Sequence, residues 1–171
     1  MNDKESPVAE LTNLESKIGE VLGLAMAAKG ATQKIEKLIE DEQVAKTVQK
    51  MHDDAAKIEE MGTELISSDT YAGKKTAILE QARTTKGEVT EMMETYLGDD
   101  ADGLDGLEFL TMAEAGEVGH WKIVEKLNEQ LGDRDLKELT DFVVPLQEQH
   151  FAVTLEGSLV LAAQEDAKAP A

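Results

Sequence analysis

The residues with the strongest claim to chemistry lie between Leu107 and Leu131. Read at about 100° per residue, one helical face carries Leu107, Leu110, Glu114, Glu117, Trp121, Val124 and Leu131. Two glutamates therefore sit in the centre of an apolar stripe, one turn apart. An ionised carboxylate taken into a core is strongly destabilising unless it is paired or bound to a metal. His120 follows Glu117 at the Glu-x-x-His spacing, at the margin of the stripe. On a bundle helix that motif is one half of the pattern in which inward carboxylates and histidines hold a pair of metal ions. Carboxylate oxygen with imidazole nitrogen suits iron, with manganese and zinc as alternatives. The competing reading is structural: Glu114 and Glu117 meet Lys or Tyr side chains inside the bundle and hold no metal.

Other ligands must come from other helices. Glu15 flanks the stripe of the first helix, one turn from Leu11, Ile18 and Leu22, where it can lean inward. His52 flanks the second helix's stripe, with Gln49 in the place where the motif would have Glu. Near the C-terminus, Leu146, His150, Val153, Gly157 and Val160 form one stripe, and Glu148, Phe151, Leu155 and Ala162 another. Glu148 and His150 stand about 200° apart around a helix, so a straight helix cannot aim both at one metal, and either one of them is a ligand or neither is. The candidate metal ligands are thus the carboxylates of Glu15, Glu114, Glu117 and Glu148, with nitrogen from His52 or His150. The acidic loop Gly98–Gly103 does not read as an EF-hand. Counted from Asp99, positions 3, 5 and 6 are Ala101, Gly103 and Leu104. Aspartates that cap helices are the better reading. Cysteine is absent, and so are a G-x-S-x-G elbow, a P-loop and a dinucleotide fingerprint, which excludes the common nucleophilic and nucleotide-dependent enzymes.

The elements that must position these residues read as all-α. The 171 residues are 41% hydrophobic and fit a single domain over 1–171. Ala, Leu, Glu, Lys, Met and Gln are frequent, and no stretch alternates with the period of a strand. The first helix is expected to begin near Ser6-Pro7 and to break at Gly30. The second carries Ile35, Leu38, Ile39, Val44, Val48, Met51, Ala55, Ile58 and Leu65, straight or kinked near Asp41, and closes at Ser67-Ser68-Asp69. This pair occupies 6–66. A third helix is expected over 74–97, a fourth from Leu104 to Leu131 with Gly132 as its stop, and a fifth from Asp135 to Ala163, interrupted or bent at Pro145. The second pair spans 104–163, and 164–171 is a tail.

Charge narrows the partners. With 36 acidic against 17 basic residues the formal net charge is −19, and the pI is about 4.4. Such a surface repels nucleic-acid phosphate and anionic lipid. No signal-like segment and no apolar run of roughly 18 residues is present, so the cytoplasm is the expected compartment and no membrane partner is expected.

From Glu114 onward the chain resembles the YciF-like stress-response branch of the ferritin-like superfamily. The resemblance rests on Glu114 and Glu117, then Trp121 where the family usually has Tyr, then Glu129-Gln130-Leu131-Gly132 before the last helix. Leu146-Gln147-Glu148-Gln149 stands, with fewer acids, where the family has an acidic stretch facing the metals. Glu15 and Leu22 match an inward Glu and a later Leu of the family's first helix. Between these regions the likeness lapses, and His52 is the nearest counterpart to the family's second-helix ligands. The resemblance implies a ferritin-like four-helix bundle with an additional helix in the long crossover. It also implies a homodimer with a di-iron or mixed-metal carboxylate site, ferroxidase- or peroxidase-type chemistry, and a role in stress response or iron and peroxide handling. The alternative is a metal-free helical bundle, a structural or interaction module whose acidic faces take a basic partner.

Overall fold

A computed structural model describes residues 10–169. Among them are five α-helices and no strands: α1 (Asn13–Glu36), α2 (Glu42–Leu65), α3 (Lys75–Tyr96, entered through a 3₁₀ turn at Ala72–Lys74), α4 (Gly103–Leu131) and α5 (Arg134–Ala162). None is long and apolar enough to cross a membrane.

The helix ends follow local chemistry. Thr12 caps α1 and forms a reciprocal capping box with Glu15. Asp41 caps α2, Asp102 caps α4 in a second capping box, and Asp133 caps α5. Gly132, at φ 73°, closes α4 in the left-handed conformation that glycine adopts without strain.

Five expectations need correction. The helical start at Ser6-Pro7 lies outside the described residues, but Glu10–Thr12 are not helical, so α1 does not extend back through them. Gly30 is no break: α1 continues to Glu36 because Ala31 and Ile35 bury beyond it. The break falls at 37–41, so Ile35 belongs to α1, and Asp41 begins α2 instead of kinking it. Of the two alternatives at Pro145, interruption does not hold: α5 continues through it as one helix. In α4, Leu131 is exposed and Asn128 takes the inward position, its amide bonded to the Asp133 backbone.

Contacts between helices fix their directions. Lys29 meets Glu59 and Leu22 approaches Gly62, so α1 and α2 are antiparallel. Glu20 meets His120 and Ile35 meets Gly106, so α4 is antiparallel to α1. Thr111 lies beside Ser158 and Glu117 beside Gln147, which makes α5 antiparallel to α4. Asp54 meets His150 and Val44 meets Gly157, so α5 is antiparallel to α2 as well. The four helices form a ring in the order α1, α2, α5, α4. The connection from α2 to α4 carries α3, which runs parallel to α1: Gly19 faces Ile78 and Gln81, and Gly23 faces Ala82 and Thr85.

Glycine makes the α1–α3 approach possible. A Cβ at Gly23 would strike the Ala82 carbonyl oxygen and lie 2.8 Å from Thr85 Cβ. Gly23→Ala is therefore expected to cost about 2–3 kcal/mol in urea unfolding. Gly30→Ala, where an added Cβ meets nothing within 4 Å, should stabilise by about 0.5–1 kcal/mol. Equal effects at the two positions would contradict this account of the interface.

The core is divided along the bundle axis. Ile18, Leu22, Ile58, Trp121, Val124 and Val143 belong to one apolar cluster. Ile35, Val48, Leu107, Leu110 and Leu161 belong to another. Between them α4 places Glu114 and Glu117, and α5 places Gln147, His150 and Thr154, all buried.

Candidate functional site

This polar layer is where the sequence-predicted residues divide. Glu114 and Glu117 are 2% and 3% exposed. They are carried inward because Leu107 and Leu110 on one side, and Trp121 and Val124 on the other, commit this face of α4 to the core. From α5, one turn separates Gln147 and His150, and both face them. His150 Nδ1 lies 3.6 Å from Glu114 Oε2. Its other nitrogen, Nε2, lies 3.0 Å from Asp54 Oδ2 on α2. Asp54 in turn accepts from Lys50 Nζ at 2.6 Å. The Gln147 amide donates to Glu117. Glu114 Oε2 and Gln147 Oε1 have no hydrogen-bond partner.

The electrostatics follow from this placement. Burial, and then the Glu114 charge, push the Glu117 carboxyl well above its ordinary range. For His150, burial opposes the charged ring, but the carboxylates of Glu114 and then Asp54 outweigh it and raise its pKa. At Asp54, burial is outweighed by Lys50 and His150, and its pKa is lowered. A carboxylate can only accept, so Asp54 fixes the hydrogen on Nε2 and turns Nδ1 toward Glu114.

The other candidates lie elsewhere. Glu15 accepts from the Thr12 backbone at 2.7 Å as part of the α1 cap. It is nine residues before Leu24, which shares a cavity wall with Glu114 and Glu117, so it stands about 14 Å away along the helix axis. His52 turns to α1, with Nδ1 3.0 Å from the Lys29 carbonyl oxygen. Glu148 is half exposed and pairs with Lys122 at 2.5 Å. His120 lies 3.2 Å from Glu20 Oε2 and is 40% exposed. The alternatives on α5 are thereby resolved: His150 faces inward and Glu148 outward.

Two members of the cluster were not anticipated. Gln147 precedes His150 at the spacing of Glu-x-x-His, a signal available in the sequence. Asp54 lies one residue from the inward Ala55, and nothing in the sequence marks it.

Two cavities reach the layer from opposite sides. One, of about 330 Å³ between α1, α3 and α4, is lined by Glu114 and Glu117. The other, of about 300 Å³ between α2 and α5, is lined by Asp54 and His150. Among the described residues no three His, Asp or Glu side chains converge closely enough, as placed, to hold a metal ion. The reason is visible in the layer: Gln147 engages Glu117, and Asp54 is on the far side of the imidazole from Glu114. The residue types are nevertheless ones that hold cations: Glu114 Oε2 is 3.6 Å from His150 Nδ1, Glu117 is buried one turn from Glu114, and Glu114 Oε2 and Gln147 Oε1 lack hydrogen-bond partners.

The chain matches no family model, no curated protein and no solved structure.

Proposed function

We propose that the protein is a ferritin-like helical bundle that binds one divalent metal ion through Glu114, Glu117 and His150. The observation that carries the reading is the unpartnered Glu114 oxygen, buried beside a second carboxylate and an imidazole. The order and directions of α1, α2, α4 and α5, with α3 in the connection from α2 to α4, support the ferritin-like part.

Asp54 holds the Nε2 hydrogen of His150, the usual outer-shell role of a carboxylate behind a metal-binding histidine. Gln147 would yield its hydrogen bond to Glu117 and offer an amide oxygen. Three such donors serve one ion; the α1 positions at this level, Leu24 and Ala28, carry no ligand for a second. Iron bound there with an open position would supply oxidation chemistry with dioxygen or peroxide.

A metal-free bundle is the second reading, favoured by the hydrogen bond from Gln147 to Glu117 and by the raised Glu117 and His150 pKa values. With Glu117 protonated and His150 charged, the layer is balanced without a metal. Elemental analysis separates the two. Protein expressed with iron and manganese, or loaded anaerobically with ferrous ion, is expected to hold about one ion per chain. Glu114→Ala/Glu117→Ala should hold none. An empty wild-type protein after ferrous loading would leave the metal-free reading standing.

A further inference from the structure

The cavity between α1, α3 and α4 is more than an approach to the acid pair. α3 and α4 touch near one end, where the rings of Tyr96 and Phe109 are 5.8 Å apart, and farther along they part around about 330 Å³. That volume holds about ten non-hydrogen atoms, at about 30 Å³ for each water-sized unit. Apolar side chains make most of the wall, among them Leu24, Val89, Met92, Phe109 and Leu110. Four acids line it, Glu20, Glu88, Glu114 and Glu117, and the one basic side chain among the lining residues, His120, is turned to Glu20 at 3.2 Å. Glu114 is 2% exposed, and its Oε2 has no hydrogen-bond partner, the nearest basic group being His150 Nδ1 at 3.6 Å.

We propose that this cavity binds a monoamine with an apolar body, its ammonium group donating to Glu114 and Glu117 and its chain lying against Leu24, Val89, Met92 and Phe109. Apolar walls with a few convergent polar groups are the usual composition of a small-molecule site. Here the sign of those groups selects among amphiphiles. A carboxylate of the same length meets four acids, and an alcohol offers only a neutral donor. An ammonium gives Glu114 a charge-assisted partner, and Met92, half exposed on the wall, is a side-chain type that adapts to ligand shape. The inference goes beyond the metal reading and does not depend on it, although an ion held by Glu114 and Glu117 would compete with the amine.

The test is calorimetric titration of chelator-treated full-length protein with n-octylamine, 1-octanol and octanoate, which share one chain. Octylamine is expected to bind about tenfold tighter than octanol, and octanoate not measurably. Glu114→Gln should weaken octylamine about tenfold and leave octanol unchanged. Gly116→Phe provides a second handle. Gly116 lines the cavity, an added Cβ there meets nothing within 4 Å, and the helix gains by losing a glycine. That variant should abolish binding of both ligands while unfolding like the wild type. Equal affinity for amine and alcohol, or octylamine binding untouched by both substitutions, overturns the proposal. Because metal is removed first, failure here leaves the elemental analysis unaffected, and failure of metal loading leaves this result unaffected.

Discussion

Metal-free protein is expected to lose stability as pH rises from about 5 to 8, and Glu117→Gln to remove much of that loss. The folded-state pKa of Glu117 is raised well above 4.5, so between 4.5 and that folded value the native state retains a proton that the unfolded chain has released. Its contribution is fully present below pH 4.5 and is lost as pH climbs through the folded value. His150, raised above 6.5, acts in the same direction: its contribution is present below pH 6.5 and lost as pH passes its folded pKa. Asp54 works oppositely, being lowered below 3.8; its contribution is lost only as pH falls through that lower range, outside the window. The groups facing this layer are Glu114 and Glu117 from α4, His150 from α5, and Asp54 with Lys50 from α2. Replacing Glu117 with its neutral isostere keeps an acceptor for Gln147 and removes the buried ionisation. Glu117→Gln should therefore gain about 2 kcal/mol at pH 7.5, or about 6 °C in Tm, and little at pH 5. Self-repulsion of a chain with net charge −19 also grows with pH, so the control is Glu156→Gln at an exposed position. Thermal unfolding at pH 5 and 7.5 for the three proteins decides it. If Glu117→Gln destabilises equally at both, the acid is part of a structural network and not a strained site.

What the sequence discloses depends on whether a signal is local. The α4 stripe is legible because two glutamates interrupt an otherwise apolar face, and Gly132 and Asp102 end and begin α4 by chemistry contained within a few residues. Thr12 and Glu15 also form a local pattern, a capping box, and it explains why Glu15 does not reach the centre: its carboxylate is engaged at the helix start. Gly30 misleads because tertiary burial of Ala31 and Ile35 overrides a weak local preference. Asp54 is of a different kind. It becomes part of the site through the lateral register of α2 against α5, which no spacing within α2 specifies. Glu148 and His150 likewise needed the rotation of α5 about its axis to be told apart. That rotation follows from Gly157, which lets Leu107 and Val44 approach closely and keeps the His150 face inward. The bundle and its all-helical character are thus written in periodicity, whereas the composition of the polar layer is written in how four helices align.

Gln147→Glu is the substitution that should move the two readings furthest apart. It restores Glu-x-x-His on α5 and sets a third carboxylate against Glu117, where the wild-type amide now donates a hydrogen bond. Without metal the variant loses that donor and gains an acid in a buried layer. It should cost about 2–4 kcal/mol at pH 7.5, with a steeper fall toward alkaline pH because more protons must be retained for folding. With metal, part of that cost is recovered. An added anionic oxygen beside Glu114, Glu117 and His150 should tighten binding of ferrous, manganous or zinc ion about tenfold. At an ion concentration a hundred times the dissociation constant, binding adds about 2.7 kcal/mol to folding stability, and a tenfold gain in affinity adds about 1.4 more. At one pH and ionic strength, the metal-free Tm of the variant is therefore expected to fall below that of the wild type, and the rise in Tm on adding each ion to be larger than in the wild type. A variant that is weaker than wild type when metal-free, yet gains more from the ion, places the new carboxylate among the ligands. A variant equally weakened in every condition places it among repelled charges in a layer that holds only protons.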